Sequence, residues 1–127
     1  MIITLGNLLN MKKTLEKLNE VETNFDFAYR LAKINKEYVL NADFYDEKYK
    51  DIVNDVAERD SNGEIIVSEK GIVKIQESRE EDAQKKLNEL VSVEISLDDS
   101  LKIKLDDLKE LNCLSPKDIM VLEPILE

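Results

Sequence analysis

The chain has 127 residues, 43% of them apolar, and 18 basic against 28 acidic side chains give it a formal charge of −10. That length is enough for one modest core, and the acidic balance discourages binding to nucleic-acid phosphates or to an anionic membrane. With no histidine, one cysteine, no apolar run of about 20 residues and no signal-peptide order in its opening residues, the sequence argues against a membrane span, export, an internal disulfide and imidazole chemistry.

Ile2, Ile3 and Leu5 predict a short strand, interrupted by Gly6 and Asn7. Leu8, Met11, Leu15 and Leu18 then fall at the spacing of one buried helix face, which predicts a first helix over 8–18 with Lys12, Lys13, Glu16 and Lys17 in water. The pattern lapses over Asn19 to Asn24, and Asn24 is placed to cap a second helix.

That second helix organises the chain. Phe27, Leu31, Ile34, Tyr38, Ala42, Tyr45, Tyr49, Ile52 and Val56 recur every three or four positions without a glycine or proline. They predict a helix over about 25–58 with one apolar stripe, on the order of 50 Å long. Asn41 to Phe44, where Asn and Asp weaken helix propensity, is the stretch where a break in it could fall. The stripe requires cover, expected from the first helix and from a third over 77–90 that turns Ala83, Leu87 and Leu90 inward, its start sharpened by a capping box between Ser78 and Glu81.

Between these helices, Asp60-Ser61-Asn62-Gly63 predicts a turn with positive backbone dihedrals, and Ile65, Val67 and Ile72 to Ile75 predict two short strands around Gly71. The same turn is a poor calcium loop, because Ile65 to Val67 break the series of oxygen ligands. Further on, Val93, Ile95 and Leu97 alternate with polar residues, as do Leu101, Ile103 and Leu105 after Asp98-Asp99-Ser100. The pair predicts a hairpin, with Ile2 to Leu5 available as a third strand. Leu105, Leu108 and Leu111 suit a helical turn around which Cys113 is a small, partly buried residue. Ser115, Pro116 and Asp118 carry the signals of a helix start. Pro124 ends that last helix and leaves Ile125 and Leu126 as a core plug or a docking point.

The expected architecture is α+β: a long helix packed by two shorter helices, with small antiparallel hairpins and a short C-terminal helix, in one elongated helical scaffold domain over 1–127. No glycine-rich phosphate loop, cysteine metal pattern or inward carboxylate pair stands out, so neither a cofactor nor a metal nor catalysis is expected. The aromatics of the long helix, Phe25, Phe27, Tyr29, Tyr38, Phe44, Tyr45 and Tyr49, could form a ligand wall, but their helical spacing favours packing. Tyr29 and Phe44, with Asp51, Asp55 and Glu58 on the charged outer surface, are the candidate protein-interaction residues. An acidic helix could also imitate nucleic-acid phosphates and inhibit a nucleic-acid-binding host protein. Lys33, Lys36, Lys48, Lys50 and Arg59 interrupt that negative field, and a solvated helix face is the simpler account.

The order of segments, with a Leu- and Lys-rich first helix, a long helix ending in Ala57-Glu58-Arg59-Asp60-Ser61-Asn62-Gly63, a second helical segment and a tail from Leu114-Ser115-Pro116-Lys117-Asp118 to Leu122-Glu123-Pro124-Ile125, resembles a family of small proteins encoded by bacteriophages and prophages of low-GC Gram-positive bacteria. The resemblance implies a phage or prophage origin and expression with virion assembly genes. It carries no catalytic residue. The resulting expectation is a noncatalytic interaction scaffold or assembly accessory in the host cytoplasm, with a phage or host protein as partner and a homodimer wherever the stripe outruns its cover, and with neither direct nucleic-acid nor membrane binding.

Overall fold

The structure is a computed structural model that describes residues 1–127. It is an α+β fold whose chain, read from its sequence as one domain, packs as two compact units: Met1–Ala42 with Ser92–Glu127, and Asp43–Val91.

In the first unit, β1 (Ile2–Thr4) pairs antiparallel with β2 (Glu94–Ser96), placing Ile3 opposite Ile95. The strand ends before Gly6 as expected, but Gly6 and Asn7 do not separate it from the helix that follows. They lie inside α1 (Leu5–Leu9), because the Thr4 hydroxyl accepts the Asn7 amide at 3.0 Å and caps a helix that begins directly after the strand. The first helix is thus two, α1 and α2 (Lys12–Asn19), joined by a turn at Asn10 and Met11. The Asn24 side chain accepts the Phe27 amide at 2.9 Å and opens α3 (Phe25–Val56), a helix of 32 residues.

No break occurs at Asn41. Its amide donates to the Glu37 carbonyl four residues back, as that of Asn35 does to Leu31, so these side chains bond the helix instead of competing with it. In the first unit, Phe27, Leu31 and Ile34 of α3 pack in one core with Leu8, Met11, Leu15 and Leu18, over which Tyr38 lies half buried. Closing this core are Leu97, Leu101, Ile103, Leu108 of α5 (Leu105–Lys109), Leu122 of α6 (Pro116–Leu122) and Ile125. Each fully buried side chain of this kind contributes roughly 1.5–3 kcal/mol.

The hairpin expected over Val93 to Leu105 does not form. Asp98 accepts the Ser100 amide at 2.8 Å and folds Asp99–Leu101 into a 3-10 turn, so β2 joins β1 and Ile103 bridges in parallel to Leu126. Ile125 is fully buried, as a core plug requires.

In the second unit, α3 ends at Val56, two residues earlier than the periodicity suggests, because Ala57 to Arg59 belong to a β structure. Three segments, 57–59, 65–67 and 73–75, each bridge to the other two: Ala57 with Ile75, Arg59 with Ile65, Val67 with Val73. The Glu58 amide donates to the Lys74 carbonyl (2.8 Å), Lys74 to Ile66 (2.9 Å) and Ile66 to Glu58 (2.9 Å), which closes a hydrogen-bonded cycle. Around it, Asp60 donates to Glu64, Ser68 to Ile72 and Gln76 to Val56 at 2.8–2.9 Å. These donors all recur at intervals of eight residues, so the two expected strands are parts of a pseudo-threefold ring.

Two matched turns build the ring. The Asp60 carboxylate and the Ser68 hydroxyl accept the amides of Glu64 and Ile72, while Gly63 and Gly71 adopt φ of +80° and +77°. Only the glycine has positive φ in the first turn, and Asn62 does not. No atom lies within 4 Å of where a Cβ would stand on either glycine, so only backbone strain opposes a side chain there. Gly63→Ala and Gly71→Ala should each cost about 1–2 kcal/mol. Amide hydrogen exchange would then show faster exchange at Glu58, Ile66 and Lys74 together, and a loss confined to the mutated turn would contradict a cooperative ring. After a 3-10 turn at Glu77–Arg79, in place of the expected capping box, α4 (Glu80–Val91) buries Ala83 and Leu90.

Candidate protein-interaction surface

On the helix α3, burial alternates with exposure around the axis. Phe27, Leu31 and Ile34 face the first unit's core, and the stripe is covered again at Val56 in the second unit. Between these stretches Ala42, Tyr45 and Ile52 are half-buried and Tyr49 is exposed, so the cover expected along the whole stripe is incomplete.

The side facing away from Phe27 is more unusual, because it holds large apolar groups in water. In the first unit Tyr29 is 55% exposed and stacks on Phe25, itself 78% exposed, with ring centroids 5.9 Å apart and planes within 9°. The Lys33 ammonium lies 4.7 Å from the Tyr29 centroid, inside cation–π range. The i, i+4 spacing of Phe25, Tyr29 and Lys33 produces this stack, since residues four apart are neighbours on a helix surface. Val39 and Leu40 are also more than half exposed. A cleft of about 280 Å³ beside Tyr29 mixes Asp26, Arg30 and Lys33 with Ser100 and Leu101.

In the second unit Phe44 is 40% exposed, with the Lys48 ammonium 5.8 Å from its ring, and Tyr45 and Tyr49 pack at 5.8 Å. Burial, and then the charges of Tyr49 and Asp46, raise the Tyr45 hydroxyl above its usual pKa. The three candidate acids differ in their surroundings. Asp51 is exposed on α3. Asp55 accepts hydrogen bonds from Lys86 (3.1 Å) and Arg79 (2.8 Å), whose contacts hold its carboxyl below the usual range. Arg79 and Lys86 are shared with Asp82, forming a four-residue ion cluster in which Asp82 is also lowered and both cations are raised. Glu58 pairs with Lys74 at 3.2 Å. Two of the three acids are therefore engaged within their own unit. The Asp60 carboxylate, weighed as a calcium ligand from its sequence, is occupied by the amides of Asn62 and Glu64.

One polar group without a place in the sequence expectation beyond helix capping is Asp118, buried in the first unit. It accepts from Lys17 Nζ (2.7 Å), the Thr14 hydroxyl (2.7 Å), the Ser115 amide (2.8 Å) and the Ser115 hydroxyl (3.1 Å). Lys17 first, then the Ser115 amide and Thr14, hold its carboxyl well below the usual range. Ser115-Pro116-Lys117-Asp118 signals the capping box, but nothing in the sequence signals that Thr14 and Lys17 converge on it.

No helix is long and apolar enough to cross a membrane. No group of three or more Cys, Asp or Glu side chains is arranged to hold a metal ion. Comparison with protein-family models, with curated proteins and with solved structures gives no match.

Proposed function

We propose that this is a noncatalytic phage or prophage protein that acts in the host cytoplasm as a protein-interaction scaffold or assembly accessory. The observation that carries the reading is the exposed apolar content of α3: Phe25, Tyr29, Val39, Leu40, Phe44 and Tyr49 all lie 40% or more in solvent on one helix. Aromatic side chains are enriched where proteins bind one another, because they bring large contact area at small entropic cost. The phage assignment rests on the resemblance in segment order. Inhibition of a nucleic-acid-binding protein by charge imitation draws less support, since Asp55 and Glu58 of its acidic stripe are paired with Arg79, Lys86 and Lys74.

The test is affinity capture from infected or induced cells, using the whole chain and a Tyr29→Ser, Phe44→Ser variant of equal helicity. A phage or host protein should be recovered reproducibly by the parent and at least about tenfold less by the variant, as expected when exposed aromatic anchors are removed. Captures that stay empty at every stage of infection, or that ignore both substitutions, would refute this surface.

A further inference from the structure

We infer that the open edge of β2 takes β2 of a second copy of this chain, antiparallel across a twofold axis, so that the two small sheets join into one. Every residue of this edge belongs to the first unit, and none is shared with the aromatic surface of α3. In an antiparallel pair, alternate residues turn their N–H and C=O groups to the partner strand, and the residues between turn theirs away. Met1 and Leu97 exchange hydrogen bonds at 2.8 Å in both directions, and the Leu5 amide donates to the Val93 carbonyl at 2.8 Å. With Ile3 opposite Ile95, residues 93, 95 and 97 therefore face β1, while Glu94 and Ser96 present their amides and carbonyls on the open side. Val93, Glu94 and Ser96 are exposed, and no hydrogen bond or ion pair within the chain engages Glu94 or Ser96 on that side. Such an unpaired edge is a template for another strand. The edge of β1 offers only Ile2, because Thr4 already caps α1.

The side chains choose the occupant and its register. A second β2 can bond through its own outward residues with Glu94 opposite Glu94, with Ser96 opposite Ser96, or with Glu94 opposite Ser96. The first register opposes carboxylates directly, and the second brings Glu94 opposite Asp98 of the other copy, so both set like charges against each other. Only the third opposes a carboxylate to a hydroxyl, and twofold symmetry repeats that contact. On the other face of the joined sheet it sets Ile95 against Ile95 and the exposed Val93 against Leu97, pairs that add apolar cover. The edge is thus complementary to itself in one register, and a second copy is present wherever the chain is. β2 has only three residues, so the association is of the weak class that dissociates on dilution.

Mass should be measured on the whole chain by sedimentation from about 1 μM to about 1 mM, a range that brackets weak association, and should pass from monomer to dimer. Over the same range, amide exchange at Glu94 and Ser96 should slow at least about tenfold, while that of Ile95, already bonded to Ile3, stays as it was. Two variants at the exposed Ser96 test the register. Ser96→Lys places a cation opposite Glu94 of the other copy and should lower the dissociation constant at least about threefold; Ser96→Glu places a carboxylate there and should raise it by as much. Ser61→Lys, the same charge change on an exposed turn of the second unit, should leave the constant unchanged. A parent that stays monomeric throughout, a dimer in which Glu94 and Ser96 exchange as fast as in the monomer, or Ser96 variants that shift the constant in one direction would overturn the pairing. If a variant loses helicity, the amide exchange of the parent alone decides. A monomer that still captures a phage or host protein through Tyr29 and Phe44 would refute the strand pairing and leave the interaction reading intact, whereas a register-dependent dimer with empty captures would do the reverse.

Discussion

Replacing Phe27 by alanine should lower the stability of the first unit by about 3–5 kcal/mol, the range for removing a large aromatic group from a packed core. Phe27 is 1% exposed and lies in the cluster that joins α3 to Leu8, Met11, Leu15 and Leu18. Its amide is also the donor that Asn24 caps, so the start of the helix and the start of the core are fixed at one residue. Phe25, two positions earlier, provides the internal control. It has its ring in solvent against Tyr29, and Phe25→Ala should change stability by no more than about 0.5 kcal/mol. Urea unfolding monitored by helicity would resolve the pair, since a shift in midpoint at constant slope reports stability alone. Similar costs at the two positions would mean that the helix is rotated from the orientation described.

That contrast explains which parts of the molecule could be read from sequence. The register of α3 was legible because a 3.6-residue period, sustained over many turns, fixes which side meets the core, and Tyr29 and Phe44 fall off that side. Asn24 and the Ser115-Pro116-Asp118 start were legible because capping is local: donor and acceptor lie within three residues. Strand pairing is not local. The alternation of Val93 to Leu97 and of Leu101 to Leu105 reports that alternate residues meet a core, but not which segment supplies the partner. Here Asp98 bends the chain at Ser100, and the partners come from Ile2–Thr4 and Leu126.

The ring over 57–75 escaped for a different reason. Its second and third segments were legible as short strands at Ile65, Val67 and Ile72 to Ile75, but the first, 57–59, reads as the end of α3, and the eight-residue interval from Asp60 and Gly63 to Ser68 and Gly71 gains meaning only once the cycle of amides is seen to close. The charged surface has the same character. Asp51, Asp55 and Glu58 look alike as letters on one helix, yet the cations that engage Asp55 come from 24 and 31 residues further along. Periodicity fixed the exposed aromatics only in part, since Tyr49 lies on the stripe and is still 42% exposed, and the state of the acids depended on contacts that no local pattern encodes.

Asp118 offers the sharper electrostatic test, because its partners lie on segments about a hundred residues apart. It is buried and accepts four hydrogen bonds, two of them from Thr14 and Lys17 on α2. Asp118→Ala removes all four and leaves the Thr14 hydroxyl, 2% exposed, without an acceptor. Lys17 is 46% exposed and can be rehydrated, which places the loss at about 2–3 kcal/mol, below that of a fully buried ion pair. Asp118→Asn should fall between the parent and the alanine variant, since one amide oxygen can still accept while its NH₂ group faces donors. The sign of the pH dependence is set by the depressed carboxyl. A folded-state pKa below the unfolded value of about 3.9 gives stability that is fully present above the unfolded value and is lost as pH falls towards the folded one. The difference between the parent and Asp118→Asn should therefore be complete near neutral pH, begin to shrink below about pH 4 and keep shrinking with further acidification. Denaturant unfolding of both proteins at pH 7 and at pH 3 would measure it. Equal stability at pH 7 would remove Asp118 as the anchor between α2 and α6, and a difference that does not shrink with acid would mean that the hydrogen bonds act without the charge.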